Sequence, residues 1–442
     1  MATRRLRTCA KVVLALAAGL PASTARAEAP AQAQTPAREL SLGDAVRLAR
    51  TRGFEVLLAA TQVRAAEADV TTAGASPNPL ASGNVGWTLS CAGKCASGSP
   101  WGWGAGIADQ GLVEGALTRK RALRRRVAER ALEAARHDRA DAERLLVAEV
   151  KIQYVQTAST ANKLDFARDV AAALARSVEV ERVRFPRVID EGQLARIEQE
   201  ALKAEQQVDR AARDLREQQI ELALLLGTTG PIPALAVDES SVRFRVPEVL
   251  ASTSKETMIR LALDQRPDRR AALAREAQGD AQIALARRQR FPDVSLSAQY
   301  SQQGTRDYDS QLPTLTVGAS VPIPLLYRNE GEIRRAEADR AAAAEQRRRT
   351  DAVLSADVES SYNAFVTARA IVERYESGLL ERAKRARDVT EVQFSAGSTR
   401  LTDLLDAERS FVQVNMDYQD ELVSYWTAVF RLEQAIGKEL VQ

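Results

Sequence analysis

The chain is poor in the residues that most often carry chemistry: it has one histidine, three cysteines, three methionines and only 5% aromatic residues. The lone histidine, His137, falls among Arg136, Asp138 and Arg139, the setting of a solvated helix surface. No Ser/His/Asp or Cys/His arrangement and no glycine-rich phosphate loop can be assembled around it, so no catalytic residue and no cofactor are expected. Beyond residue 27 there remain one His, the methionines Met258 and Met416, and two Cys, too few soft or imidazole ligands for a transition-metal relay, and no metal site is expected. Few aromatics also argue against a thick globular core and favour layers of helices.

Excess charge of one sign is missing as well. The +3 of the full chain comes from 62 Lys plus Arg against 59 Asp plus Glu. Residues 1–27 hold Arg4, Arg5, Arg7, Lys11 and Arg26 and no acid, so without them 57 bases face 59 acids and the net charge is −2. No nucleic-acid partner is expected, because phosphate binding needs a concentrated basic face. The clusters "RALRRRVAER" and "AEQRRRT" are interleaved with Ala and Glu, as on solvated helices.

No long hydrophobic run is present either. The stretch "VVLALAAGL" is about half of the ~20 residues a membrane-spanning helix needs. Preceded by basic residues and followed by "ASTARA", it reads as a secretory signal over residues 1–27, with a membrane anchor or a basic tail as the alternatives. Cys9 lies in this leader and no Cys stands directly after the expected cleavage point, so lipidation there is not indicated. Cys91 and Cys95, spaced "CAGKC" in a Gly/Ser-rich loop, suit a small disulfide in a secreted chain; a metal clip and free thiols are the other readings.

What is present is a plan written twice. "DAVRLARTRGFEVLLA" (44–59) aligns with "TMIRLALDQRPDRRAA" (257–272) at an offset of 213, which also places Pro79 on Pro292. Leu146, Val150 and Tyr154 fall on Leu354, Val358 and Tyr362, and Leu226-Gly227 on Ile436-Gly437. Such self-similarity implies duplication, with repeats over 28–227 and 253–442. Between them, residues 228–252 hold Pro231, Pro233 and Pro247 and read as a linker that adds a short strand, followed by a capping box at Thr253 and Glu256.

Within each repeat the expected order is helix, two strands, a very long helix, a turn and a return helix. Ala116 to Phe185 contains neither Gly nor Pro, a potential rod of roughly 100 Å at about 1.5 Å per residue. Glu332 to Ala396 contains only Gly378 as a breaker. There Leu354, Val358, Tyr362, Phe365, Ala368 and Val372 trace the narrow stripe of a coiled-coil-like seam. The return helices are expected over 193–226 and 398–436.

The strands point to a compartment. "PDVSLSAQYS" and "TLTVGASV" alternate apolar with polar or small residues, giving strands over about 293–302 and 313–322; a weaker pair is expected over about 80–90 and 101–110, with Trp87, Trp101 and Trp103. Alternation over about ten residues is the pattern of a transmembrane barrel strand. Four strands with open edges cannot stand alone in lipid, where every backbone polar group needs a partner. Two chains would supply eight strands and a filled interior, three chains twelve strands and room for a pore.

Taken in order, the duplicated helix-strand-strand-helix plan, "RPDRRAA" (266–272), "FPDVSLSAQY" (291–300) and "FSAGSTRLTDLLDAERS" (394–410) resemble the TolC-type outer-membrane factors across nearly the whole chain after the leader. "VPIPLLYRNEGEIRRA" (321–336) is similar to the segment of members serving cobalt, zinc and cadmium export. The resemblance implies a mainly α fold with transmembrane β: a homotrimer whose twelve strands form a barrel in outer-membrane lipid, continued by an α-helical barrel in the periplasm. It implies docking to a periplasmic adaptor and through it to an inner-membrane RND-type pump, in passive efflux with heavy-metal cations as one cargo. It also places two helix–turn–helix tips at the periplasmic end.

At these tips Gly397 suits the end of one helix and Ser398 the cap of the next, with Gly192 in the partner turn. Six residues past each glycine stand Asp403 and Glu198, and Asp406 follows Asp403 by about one turn. In the family, matching Asp positions line an aperture, where carboxylate rings select cations; the plain alternative is that Asp403 and Asp406 only complement a helix dipole. The family's Tyr–Arg latch corresponds here to Phe394, which lacks the hydroxyl, and to Thr399 with Arg400 beside it. The rival to a duct is a soluble periplasmic coiled-coil scaffold whose strands form ordinary hairpins.

Overall fold

The computed structural model describes residues 39–87, 101–109, 118–185, 190–232, 235–248, 250, 253–302 and 313–439. The signal over 1–27 and the Cys91–Cys95 pair lie outside them.

A two-residue strand β1 (Glu39–Leu40) leads into α1 (Leu42–Arg52) and α2 (Phe54–Gly74), then β2 (Leu80–Trp87) and β3 (Trp101–Ala108). The uninterrupted run becomes α3 (Lys120–Arg184), 65 residues, about 97 Å long, and α4 (Glu191–Leu225) returns beside it. After β4 (Ala236–Val237) the order recurs: α5 (Lys255–Gln265), α6 (Pro267–Gln289), β5 (Ser295–Gln302), β6 (Pro313–Ser320), α7 (Glu330–Arg374), α8 (Leu380–Ser395) and α9 (Leu401–Ile436). A π-turn, Tyr375–Leu379, joins α7 to α8, with Gly378 at φ 155°, ψ −8°. It adds one residue to the rod, which matches the change in repeat offset from 208 at Leu146/Leu354 to 209 at Phe185/Phe394.

Both long rods start from the sheet through a left-handed residue, Arg119 (φ 54°) and Asn329 (φ 68°), the only non-glycine positive-φ positions among the described residues. Lys120 is buried beside the first of these and donates to the Phe291 carbonyl (2.6 Å) and to Asp293 (2.7 Å). That anchor holds Asp293 outside the ladder, so β5 begins at Ser295 rather than 293. Past Ser320, Pro322 and Pro324 supply no ladder N–H, and β6 ends there.

The main core lies where the two repeats meet at mid-rod. Its largest fully buried side chains are Trp426, Tyr154, Tyr425 and Phe430, and the seam residues Leu354, Val358, Phe365, Ala368 and Val372 join it, with Tyr362 against its edge. Segment 228–252 is no loose linker. Val237, Val242 and Leu250 are buried, and Trp426 Nε1 and the Tyr425 hydroxyl donate to the Val242 and Arg245 carbonyls. The Tyr154 hydroxyl donates to the Leu40 carbonyl (2.6 Å) and accepts from the Asp238 N–H (3.0 Å), tying together the β1 and β4 segments, which pair in parallel. The capping box expected at Thr253 and Glu256 is instead a cap at Ser254, whose hydroxyl accepts from the Thr257 N–H (3.3 Å).

Candidate functional site

No helix among the described residues is long and apolar enough to cross a membrane. The sheet has a different character. Its order is β2-β3-β5-β6, antiparallel throughout, and within one chain β2 and β6 are open edges. Directly opposed residues share a face, so the register sorts the side chains without further assumption. One face carries Val85, Trp87, Trp101, Trp103, Ile107, Leu296, Tyr300, Leu315 and Val317, with Gln302 and Pro313 at one end; the other carries Ser, Thr, Asn, Gln and Gly, with Leu80 and Ala108 at its opposite end. Across the polar face Gln299 reaches Asn84 (3.4 Å) over Gly104, where a Cβ would stand 2.6 Å from Asn84 Oδ1. Neither face is covered: Val85, Leu315 and Val317 are 72%, 70% and 74% exposed. A soluble hairpin would hide one face against helices, and this contradicts the scaffold alternative.

The second candidate region is the tip where α3 turns into α4 and α8 into α9. A small core seals it: Val178, Ile197, Leu401 and Leu405, with Leu194, Ala201 and Phe394 packed against them. Phe394 is thus a packing residue as well as one lacking a hydroxyl. Gly397 (φ 75°) closes α8 in a Schellman turn, with Gly397 N–H to Phe394 O (2.9 Å) and Ser398 N–H to Gln393 O (2.9 Å). The Ser398 hydroxyl also donates to Gln393 O. Ser398 therefore finishes α8 and does not cap α9.

The start of α9 belongs to Asp403. One of its carboxylate oxygens accepts from the Arg400 N–H (3.2 Å) and the Thr399 hydroxyl (3.0 Å), while the Arg400 side chain is exposed. At the other tip Gln193 accepts from the Asp190 N–H (3.3 Å) and Asp190 from the Gln193 N–H (2.7 Å). Asp403 and Gln193 are the equivalent residues. The return helices run from 191 and 401 to Gly227 and Gly437, one register of 210 throughout. Counting six from each glycine fails because Gly192 lies inside the first turn of α4 without positive φ, whereas Gly397 ends a helix. In the true register Glu198 opposes Glu408.

The carboxylates differ in what neutralises them. Glu198 accepts two hydrogen bonds from Arg182 (3.1 and 3.0 Å), and Arg409 bridges Asp406 (3.1 Å) to Glu200 on α4 (2.6 Å). Both donors to Asp403 are neutral, so its charge is the least offset of the three. Glu200 is held below the usual carboxylate range, first by the Arg409 hydrogen bond. Burial pushes Glu408 above that range; Arg387 opposes the rise, and Glu391 and Asp388 add to it. Glu200, Glu408, Arg387 and Arg409 were not singled out from sequence, because their partners lie on other helices and i,i+3 spacing reveals only local pairs.

The outer membrane efflux protein family matches residues 258–438. The chain is similar to the pyoverdine export outer membrane protein OpmQ of Pseudomonas aeruginosa, 29% identical over 318 residues covering 69% of this chain and 63% of OpmQ. It is similar to the cobalt-zinc-cadmium resistance protein CzcC of Cupriavidus metallidurans, 24% identical over 55% of each protein. The chain thus spans less than two thirds of these relatives. The fold is also that of CusC, whose structures are described in terms of transmembrane channel formation: TM-score 0.74 at 17% identity, over 91% of this chain and 93% of that one.

Proposed function

We propose that this chain is a member of the outer membrane efflux protein family, a TolC-type outer-membrane factor, and that it is the outer-membrane duct of a tripartite efflux system. Three chains share one barrel of twelve strands, β6 of each pairing with β2 of the next, and their rods continue it as a periplasmic tunnel. The repeats 28–227 and 253–442 give the tunnel wall its internal symmetry. A periplasmic adaptor docks near the tips, around Gly192, Gly397 and Ser398, and delivers cargo from an inner-membrane pump of the RND type.

The observation that carries this reading is the sheet, amphipathic, uncovered on both faces and open at both edges. Hydrocarbon tolerates open edges only when sister strands satisfy them, and three copies complete a ring wide enough to hold water. Substrates pass without coordination; similarity to CzcC brings heavy-metal cations into the proposal as one cargo.

We assign the aperture to Asp403, with Asp406 and Glu198 as paired neighbours and Phe394, Thr399 and Arg400 shaping the turn. Asp403→Ala is expected to lower the cation-over-anion permeability of the pore in planar bilayers more than Asp406→Ala, since Arg409 already offsets Asp406. The same change removes a helix-start acceptor, at a cost of about 0.5–2 kcal/mol. Unchanged selectivity in the double variant would remove both aspartates from the aperture; absence of conductance steps in the wild type would sink the duct itself.

A further inference from the structure

Inside the tip lies a cavity of about 330 Å³ bounded by α3, α4, α8 and α9, within the ~300–1,000 Å³ range of small-molecule sites. Its floor is apolar, made by Ile197, Phe394, Leu404 and Leu405, and its walls carry Glu181, Glu391 and Glu408. Glu181 is only 3% exposed. Its Oε1 accepts from Arg184 (3.0 Å), but its Oε2 is buried with no hydrogen-bond partner among the described residues. A desolvated carboxylate oxygen left this way is unfavourable, and a hydrogen-bond donor brought to it would relieve that cost.

The cations nearby are mostly engaged. Arg184 is bound to Glu181, and Arg387 is bound to Asp388 and lies 4.4 Å over the Phe411 ring. Arg176 stands exposed on the wall. No group of three or more His, Cys, Asp or Glu among the described residues could hold a metal ion. This lining suits an organic donor with an apolar body above that floor.

We propose that the cavity binds a small organic cation, a protonated amine seated between Glu181 on α3 and Glu408 on α9 with its hydrocarbon part on Phe394 and Leu404. Such a ligand would tie together helices from both repeats at the tip. This assignment rests on the chain itself and is independent of the duct reading. Glu408 is faced by Arg387, Asp388 and Glu391 from α8, by Glu181, Arg184 and Arg176 from α3, and by Glu200 and Lys203 from α4. Burial raises its pKa, so protons compete with the amine, and affinity should fall as pH drops through the titration of Glu408.

Calorimetric titration of the detergent-solubilised full chain with 4-phenylbutylammonium, against the neutral 4-phenylbutan-1-ol, tests this. The amine should bind at least about tenfold tighter than the alcohol, and Glu181→Gln or Glu408→Gln should each erase most of that difference. Glu345→Gln, exposed on α7 and not among the cavity's lining residues, should leave it unchanged. The wild-type pH profile provides a readout that does not depend on folding of the variants. Equal binding of amine and alcohol, amine binding insensitive to pH and to both cavity variants, or no binding, as for a cavity that holds water only, would overturn the proposal.

Discussion

Val317→Arg is expected to abolish assembled protein in the outer membrane, whereas Thr316→Arg, one residue earlier, leaves assembly intact. Val317 is in mid-strand on the apolar face opposite Ala298, and Thr316 lies on the polar face opposite Gln299. An arginine facing lipid near the bilayer midplane costs about 2–4 kcal/mol, and in the proposed ring of three chains the cost is incurred three times. The same side chain pointing into water costs little and changes only the lumen. Native gels of outer-membrane extracts read the difference. Equal loss in both variants would mean that neither face is lipid-specific; equal tolerance would mean that the sheet does not meet lipid.

The second large effect is expected at mid-rod. Trp426 is 1% exposed, stacks on Phe430 at 5.7 Å, and donates to the Val242 carbonyl. Trp426→Ala should cost about 3–5 kcal/mol, and thermal unfolding in detergent should begin well below the wild-type temperature. Trp426→Phe keeps most of the packing and loses one hydrogen bond, so its cost should be nearer 1 kcal/mol. Similar losses in the two variants would show that the bond to segment 228–252, rather than the packing, fixes this junction. Lys151 and Glu433, paired at 2.5 Å and buried close by, make the region sensitive: removing one partner leaves the other's charge less compensated in low dielectric.

The elements legible in the sequence are those set by local rules. A run from Ala116 without Gly or Pro reads as a rod, and alternation over about 293–302 and 313–322 reads as strands with two unlike faces, their ends shifting to Ser295 and Ser320 in the structure. Gly378 is the one glycine in the second rod, but that a π-turn interrupts the helix there depends on hydrogen bonding that composition does not encode. The tips were harder. Gly192 and Gly397 look alike in sequence, yet one lies inside a helix and the other ends one, and the choice is made by the caps at Asp190 and Gln393. Ser398 and Thr253 have the residue type of helix starters but lost that place to Asp403 and Ser254, because cap position depends on where the preceding turn releases the chain. Nor could spacing show that Arg409 reaches Glu200 across 209 positions, or that Tyr425 and Trp426 clamp a proline-containing segment that reads as a linker. Pairings between rods come from the folded bundle, and they decide which tip carboxylate keeps its charge.

The number of chains in the detergent-solubilised particle tests the account most directly. Native mass spectrometry of membrane-extracted protein should show three chains that stay associated on dilution and dissociate only with loss of the sheet. A single chain, stable and soluble once detergent is removed, would mean that the strands satisfy their edges some other way and that no duct is formed.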